Sequence, residues 1–149
     1  MLFRSTISSS QLQHLTTLQV SSLTSSQVQS LSADQLNALD SADLQALTSS
    51  QVQALKSSQI AGLSAGQVAL LTTSQVAVLN SAQLRALGDE SVQALTTLQV
   101  QALTSAQVQS LTSAQLNMMQ SEDLQALTSG QVRSLTSAQI SALSVDQVP

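Results

Sequence analysis

The sequence has no cysteine, tryptophan or tyrosine, and it has one phenylalanine, one proline and one histidine in 149 residues. Without cysteine there is no disulfide and no thiolate zinc site, and the redox compartment stays open. The single His14 offers little for a Ser-His-acid arrangement, and it stands in a slot that otherwise holds small residues. The adjacent acids Asp89–Glu90 and Glu122–Asp123 match no calcium loop. The sequence therefore predicts no enzyme, no cofactor and no metal site.

Charged residues are also scarce, at 8% of the chain, and four bases against eight acids give a net charge of −4. Nucleic-acid binding needs a patch of Lys and Arg, so no nucleic-acid partner is predicted. No apolar run approaches the roughly 18 residues of a membrane span. The start, MLFRSTISSSQLQHL, lacks the apolar stretch of a cleavable secretory signal. A hydrophobic content of 42% is nevertheless enough to bury a core.

The sequence is built from an eight-residue repeat, here called the octad. Residues 103–116, LTSAQVQSLTSAQL, contain the phrase and most of its next copy. The octad that begins at Thr104 defines the names of the positions. Thr104 is the cap, residues 105–110 are helical positions 1 to 6, and Leu111 is the closing residue. The closing column is Leu from Leu15 to Leu143 except at Met119. Residues 1–10 form a degenerate lead-in, and residues 11–149 form a continuous repeat tract.

The cap and position 3 together predict the start of a helix in every octad. A cap hydroxyl accepts a backbone N–H, and a glutamine three residues later accepts the N–H of the cap, which makes a capping box. All eight acids lie between the cap and position 3, where the helix dipole favours them, and Arg85 and Arg133 lie at position 5. The pairs that define the repeat best are Thr48 with Gln51, Thr104 with Gln107, and Thr112 with Gln115.

The octad predicts many short helices and no long one. Eight residues at about 100° each would move an apolar stripe by about 80° per repeat, so no partner helix could follow it. In a strand, Val108 and Leu111 would face opposite sides. Burying the two aliphatic residues of one octad contributes about 3–6 kcal/mol, whereas ordering eight residues costs about 12 kcal/mol. Successive helices must therefore wind around one another. The fold class predicted is all-α, a solenoid of about 18 very short capped helices, with a β-solenoid as the alternative.

The columns predict which side chains the solenoid buries. Position 6 holds mostly Ala or Ser, as close approach of backbones requires, and the position-3 glutamine is expected to be half buried. Positions 1, 2 and 5 are expected to face outward. A longer repeat of 80 residues relates residues 11–69 to 91–149, for instance through TTLQV at 16–20 and 96–100. This offset indicates a duplication of ten octads, or alternatively ten octads that make a whole number of turns.

In residues 60–80, alanine replaces the polar residue of an outward column in three successive octads, and larger apolar residues replace the small residue at position 6 in two of them. These substitutions predict a lateral contact stripe, with drift of the repeat as the alternative. The stripe comprises Ala61, Ala69, Leu70, Ala77 and Val78, together with Leu18 and Leu98 in an outward column elsewhere.

The phrase LTSAQV resembles the opening of the repeats in TAL effectors, but the longer unit and the basic strip of that family are missing, so DNA reading is not implied. The tract is more similar to LT/LS-x-x-Q-[VI] octad tracts of bacterial secreted and surface repeat proteins. Its composition is similar to that of flagellins and other exported filament subunits. These resemblances imply structure, adhesion or assembly outside the cell, reached without a cleavable signal.

The function expected is therefore a structural protein that polymerises head to tail through uncapped solenoid ends. Two alternatives remain open. One is a binding module that presents a Ser/Thr/Gln wall to a glycan, a host surface or ice. The other is a spacer segment of a larger surface protein.

Overall fold

The computed structural model describes residues 14–143, and within them the chain forms sixteen helices of five or six residues. No strand occurs in this part of the chain, so the all-α solenoid is confirmed and the β-solenoid alternative is wrong. The helices are α1 (Thr17–Ser21), α2 (Ser25–Gln29), α3 (Ala33–Asn37), α4 (Ser41–Ala46), α5 (Ser49–Ala54), α6 (Ser57–Ala61), α7 (Ala65–Leu70), α8 (Thr73–Ala77), α9 (Ser81–Arg85), α10 (Asp89–Ala94), α11 (Thr97–Ala102), α12 (Ser105–Ser110), α13 (Ser113–Met118), α14 (Ser121–Gln125), α15 (Ser129–Ser134) and α16 (Ser137–Ala142).

The capping box starts most of these helices. Thr48 Oγ1 accepts the N–H of Gln51 at 3.2 Å, and Gln51 Oε1 accepts the N–H of Thr48 at 2.8 Å. The pairs at Thr104 and Thr112 have the same two bonds, at 2.8 to 3.1 Å. The cap residue has an extended backbone, which breaks the helical path and redirects the chain at each octad. Three helices have no side-chain cap, because Lys56, Gly88 and Gln120 occupy that column.

Within residues 14–143, helices that are three apart along the chain pack against each other, so one turn of the solenoid contains three octads, or 24 residues. The helices therefore stack in three columns, which we call sides. Side A contains α1, α4, α7, α10, α13 and α16; side B contains α2, α5, α8, α11 and α14; side C contains α3, α6, α9, α12 and α15. Since ten is not a multiple of three, ten octads do not make a whole number of turns. That interpretation of the 80-residue offset is wrong, and the duplication of ten octads stays a prediction.

The core runs along the axis of the solenoid. It consists of the position-4 aliphatic residues, such as Val52 and Leu84 at 1% exposure, and of the closing leucines. The one methionine in the closing column, Met119, is buried in the same way. Each turn thus covers the apolar face of the turn before it, which a single octad could not bury alone.

Position 6 allows the backbones of successive turns to approach closely, and Gly62 shows how closely. A Cβ added at Gly62 would lie 2.5 Å from the Cβ of Ala33 in the turn before it. At Gly66, in contrast, an added Cβ would meet nothing nearer than Ser64 Oγ at 3.9 Å.

We therefore expect opposite effects from two glycine-to-alanine substitutions. Gly62→Ala should lower the free energy of unfolding by about 1–3 kcal/mol, because the extra methyl overpacks the contact with Ala33. Gly66→Ala, at position 2 of α7, should raise it by about 0.5–1 kcal/mol, because alanine loses less backbone entropy in a helix. Urea denaturation of both variants measures the two shifts. Equal shifts would contradict the close approach at Gly62.

Candidate functional site

The position-3 glutamines join each turn of the solenoid to the turn before it. Gln51 Nε2 donates to the carbonyl oxygens of Val20 and Leu23, at 2.9 and 2.8 Å, while its Oε1 accepts the N–H of its own cap. The same double donation, at 2.7 to 3.2 Å, recurs throughout what we call the inner glutamine ladder: Gln51, Gln59, Gln67, Gln75, Gln83, Gln99, Gln107, Gln115, Gln131 and Gln139.

The inner glutamine ladder corrects the prediction that these glutamines are half buried. They are buried, and Gln83 is 1% exposed. The physical reason is that a helix of five or six residues leaves its last carbonyl groups without intrahelical partners. The position-3 amide of the next turn supplies the missing donor, so it must lie inside the stack.

A second set of donors lies on the outer surface, at position 5. Gln29, Gln45 and Gln101 each donate through Nε2 to the position-6 carbonyl of the next turn, at 2.8 to 3.1 Å. Asn37 Nδ2 and Arg85 Nε do the same, to Gly62 at 2.9 Å and to Ser110 at 2.8 Å. The preference for glutamine at position 5 therefore has a structural cause. The prediction that positions 1, 2 and 5 face outward is confirmed for most octads.

The two ends of the described solenoid present complementary groups. In the first described turn, Nε2 of Gln19 and of Gln27 has no acceptor within residues 14–143, and Gln19 is exposed. A concavity of about 250 Å³ lies beside these two side chains, lined also by Leu18, Ser22 and Leu23.

In the last described turn, the core position is half open to solvent. Val132 is 47% exposed and Ile140 is 50% exposed, whereas the same column in the interior is at 0–1%. The carbonyls of Val132 and Ile140 accept only the N–H of their own closing leucines within the described residues. One end therefore offers amide donors, and the other offers carbonyl acceptors and uncovered aliphatic side chains.

The structure does not bring the residues of the predicted lateral stripe together. Ala61 lies on side C, Ala69 and Leu70 lie on side A, and Ala77 and Val78 lie on side B. Three successive octads make one complete turn, so these residues form a band around the rod. Leu18 on side A and Leu98 on side B are strongly exposed, at 74% and 67%, but they also lie on different sides. Whether any of them contacts a partner stays a prediction.

Three octads depart from the inner glutamine ladder, because position 3 is not glutamine in them. Asp123 occupies position 3 of α14, is buried, and has an Oδ2 atom with no hydrogen-bond partner within residues 14–143. Burial raises the pKa of Asp123 above its ordinary value, and the neighbouring Glu122 carboxylate adds to the rise. Burial likewise raises the pKa of Asp43, the other aspartate in this column, with Asp40 as a second cause. Ser91, also at position 3, makes only a long bond of 3.5 Å to the carbonyl of Leu63.

A known repeat family matches most of the chain. The ALTTAQ repeat matches residues 36–73, 72–105 and 116–149, which together exceed half of the chain. The chain belongs to the ALTTAQ-repeat family. No curated protein and no solved structure matches it. As an ALTTAQ-repeat protein it is a tandem-repeat structural protein, and the three matched segments each span several octads of the solenoid.

The ALTTAQ-repeat chain forms no helix that could span a membrane within residues 14–143, where the longest helices have six residues. His14, the sole histidine, is exposed. The predictions that the protein is no enzyme, holds no metal and binds no nucleic acid stay predictions.

Proposed function

We propose that this protein is a self-assembling structural rod that polymerises head to tail, with the open core of one copy covered by the first turn of the next. The observation that carries the proposal is the exposure of Val132 and Ile140, at 47% and 50%, in a column that is buried from Val20 to Leu116. Covering their exposed halves contributes about 1 kcal/mol each.

The hydrogen-bonding groups support the same joint. The amides of Gln19 and Gln27 are chemically equivalent to those that already bridge turns inside the rod. The carbonyls of Val132 and Ile140 are equivalent to the acceptors of those amides. Each such bond contributes about 0.5–1.5 kcal/mol. A contact of donor end to acceptor end is heterologous, so it does not close on itself and continues as a filament.

The alternative of a ligand-reading Ser/Thr/Gln wall has less support. The position-5 side chains, which favour glutamine, already donate to carbonyls of the next turn in five octads. A spacer within a larger surface protein remains compatible with the same rod. We also propose an extracellular location, which rests on the resemblance to exported repeat proteins and is tested by cell fractionation.

Two blocked variants test the polymer and its polarity together. Val132→Glu with Ile140→Glu places charge on the acceptor end, and Gln19→Glu with Gln27→Glu removes the donors from the other end. We expect filaments from the unmodified protein in negative-stain microscopy, and none from either variant alone. An equimolar mixture of the two variants should stop at dimers, because each retains one working end.

The matched control is Thr73→Glu with Ser74→Glu, which adds two negative charges at exposed positions 1 and 2 of α8, in the middle of the rod. It should leave filament length unchanged. A strictly monomeric unmodified protein in light scattering at high concentration would refute the proposal, and so would filaments formed by either blocked variant alone.

A further inference from the structure

The three-octad turn sorts the charged side chains by side. Lys56, Arg85 and Arg133, the bases within residues 14–143, all belong to octads of side C. Asp34 is the acid that accompanies them there. Most acids in this part of the chain lie on the other two sides. Nothing in the linear order of the sequence shows this separation, because it appears only when every third octad is superposed.

Side A has the opposite character. The exposed carboxylates of Asp40, Asp89 and Glu90 lie on it, and within residues 14–143 it carries no lysine or arginine. Among residues 14–143, side B has one exposed acid, Glu122, and the buried Asp123. The rod therefore presents one basic side and one strongly acidic side.

The charges on these two sides also match in their spacing along the rod. Arg85 belongs to α9 and Arg133 to α15, and α12 alone lies between them in the side C column, so they are two turns apart. Asp40 is the cap of α4, and Asp89 and Glu90 begin α10, with α7 alone between them in the side A column. That separation is also two turns. Both pairs of opposite charges can therefore form at once.

We propose that side C of one rod packs laterally against side A of a second copy, with Arg85 and Arg133 opposite the carboxylates of Asp40 and of Asp89 with Glu90. Arg85 is held ready for this contact, because its Nε donates to the carbonyl of Ser110 and fixes the side chain along side C. A second copy suits this surface better than a nucleic acid or an anionic membrane. Three bases spread along one side of a chain with net charge −4 are too few to hold a polyanion.

Exposed ion pairs are individually weak and are screened by salt. The lateral contact therefore depends on pairs that form together, and along a head-to-tail polymer the match would repeat with every copy. This repetition rests on the proposed function. Two separate rods can still form two pairs of opposite charges. The expected product is a bundle that loosens as salt is added.

Two variants, each of which removes the charges of one side, test the lateral contact without disturbing the fold. We call them the neutral variants. Arg85→Gln with Arg133→Gln removes both charges, and glutamine at position 5 keeps the bond to the next turn, as Gln29 and Gln45 do. Asp40→Thr with Asp89→Ser and Glu90→Ala removes the acids, using residues that other octads carry at the same positions. Introducing each set separately into the end-blocked Gln19→Glu, Gln27→Glu protein isolates lateral pairing from polymerisation and adds no acid to side C.

Sedimentation velocity at about 10 mM salt, where the Debye length is about 30 Å, and at about 1 M, where it is about 3 Å, gives the readout. We expect lateral oligomers of the end-blocked protein at low salt only, because each pair keeps one free side A and one free side C. The dissociation constant should be about tenfold larger in either neutral variant. Association that is equal in both salts, absent at low salt, or unchanged in the neutral variants would overturn the inference. Filament length in the unmodified protein reports separately on head-to-tail assembly, and bundle width reports on the lateral contact.

Discussion

Replacing Gln83 with glutamate is expected to lower the free energy of unfolding by about 3–5 kcal/mol at about pH 7, because it leaves a buried charge without a partner. The Nε2 group of Gln83 donates to the carbonyls of Val52 and Leu55, at 2.9 and 2.8 Å, and the residue is 1% exposed. A carboxylate at this position would direct its charge at two carbonyl oxygens that need a donor. It would keep only the acceptor role toward the N–H of Asn80.

The pH dependence of this variant has a definite sign. Burial beside carbonyl oxygens raises the pKa of a carboxyl in the folded state, so the folded protein favours the protonated form. The destabilisation should therefore be smallest below the unfolded-state pKa of about 4.3 and should grow as the pH rises through the folded-state pKa. Urea denaturation at several pH values measures it.

Gln53→Glu provides the matched control, since it makes the same chemical change at an exposed position 5. It should change the free energy of unfolding by less than about 0.5 kcal/mol. If the two variants were equally stable at about pH 7, the inner glutamine ladder would not be the bond between turns.

The start of each helix could be predicted from the sequence because its interactions are local. A capping box joins residues three apart, as in Thr48 and Gln51, and the distribution of the acids toward helix starts gave independent support. The prediction that positions 1, 2 and 5 face outward depends only on the geometry of a single helix. None of these required knowledge of which octads touch.

The turn of three octads could not be predicted in the same way. It depends on the angle that the chain makes at each extended cap residue, and eight-residue spacing alone is compatible with several angles. The features that depend on the turn could therefore not be predicted. They are the sides on which Ala61, Ala69 and Ala77 lie, the fact that ten octads do not make a whole number of turns, and the separation of charge between sides A and C.

The inner glutamine ladder could have been predicted from the choice of residue at position 3, which the capping box alone does not explain. A capping box accepts glutamate as readily as glutamine at position 3. In this chain the column contains glutamine at nearly every octad and glutamate at none. Such a preference indicates that the amide must donate as well as accept. A donor with no local acceptor then points to a neighbouring turn.

Asp123→Gln is expected to raise the free energy of unfolding by about 1–3 kcal/mol at about pH 7, because it restores a missing donor at a buried junction. By the register of the other turns, a glutamine at this position would donate to the carbonyls of Val92 and Leu95. Asp123 as a carboxylate can only accept, and its Oδ2 atom is buried with no partner within residues 14–143. Asp34→Asn, an exposed acid at position 2, is the control and should destabilise by less than about 1 kcal/mol.

The stabilisation by Asp123→Gln should depend on pH, and the direction follows from the raised pKa of Asp123, caused first by burial and then by Glu122. A folded-state pKa above the unfolded value of about 3.9 means that the aspartate protein is relatively most stable below that value. There the carboxyl is protonated and can itself donate to a carbonyl. As the pH rises through the folded-state pKa, the aspartate protein loses stability and the glutamine variant does not. Urea midpoints of the two proteins should therefore converge at about pH 3 and separate at about pH 7, and a constant difference across that range would mean that the buried carboxylate is not the cause.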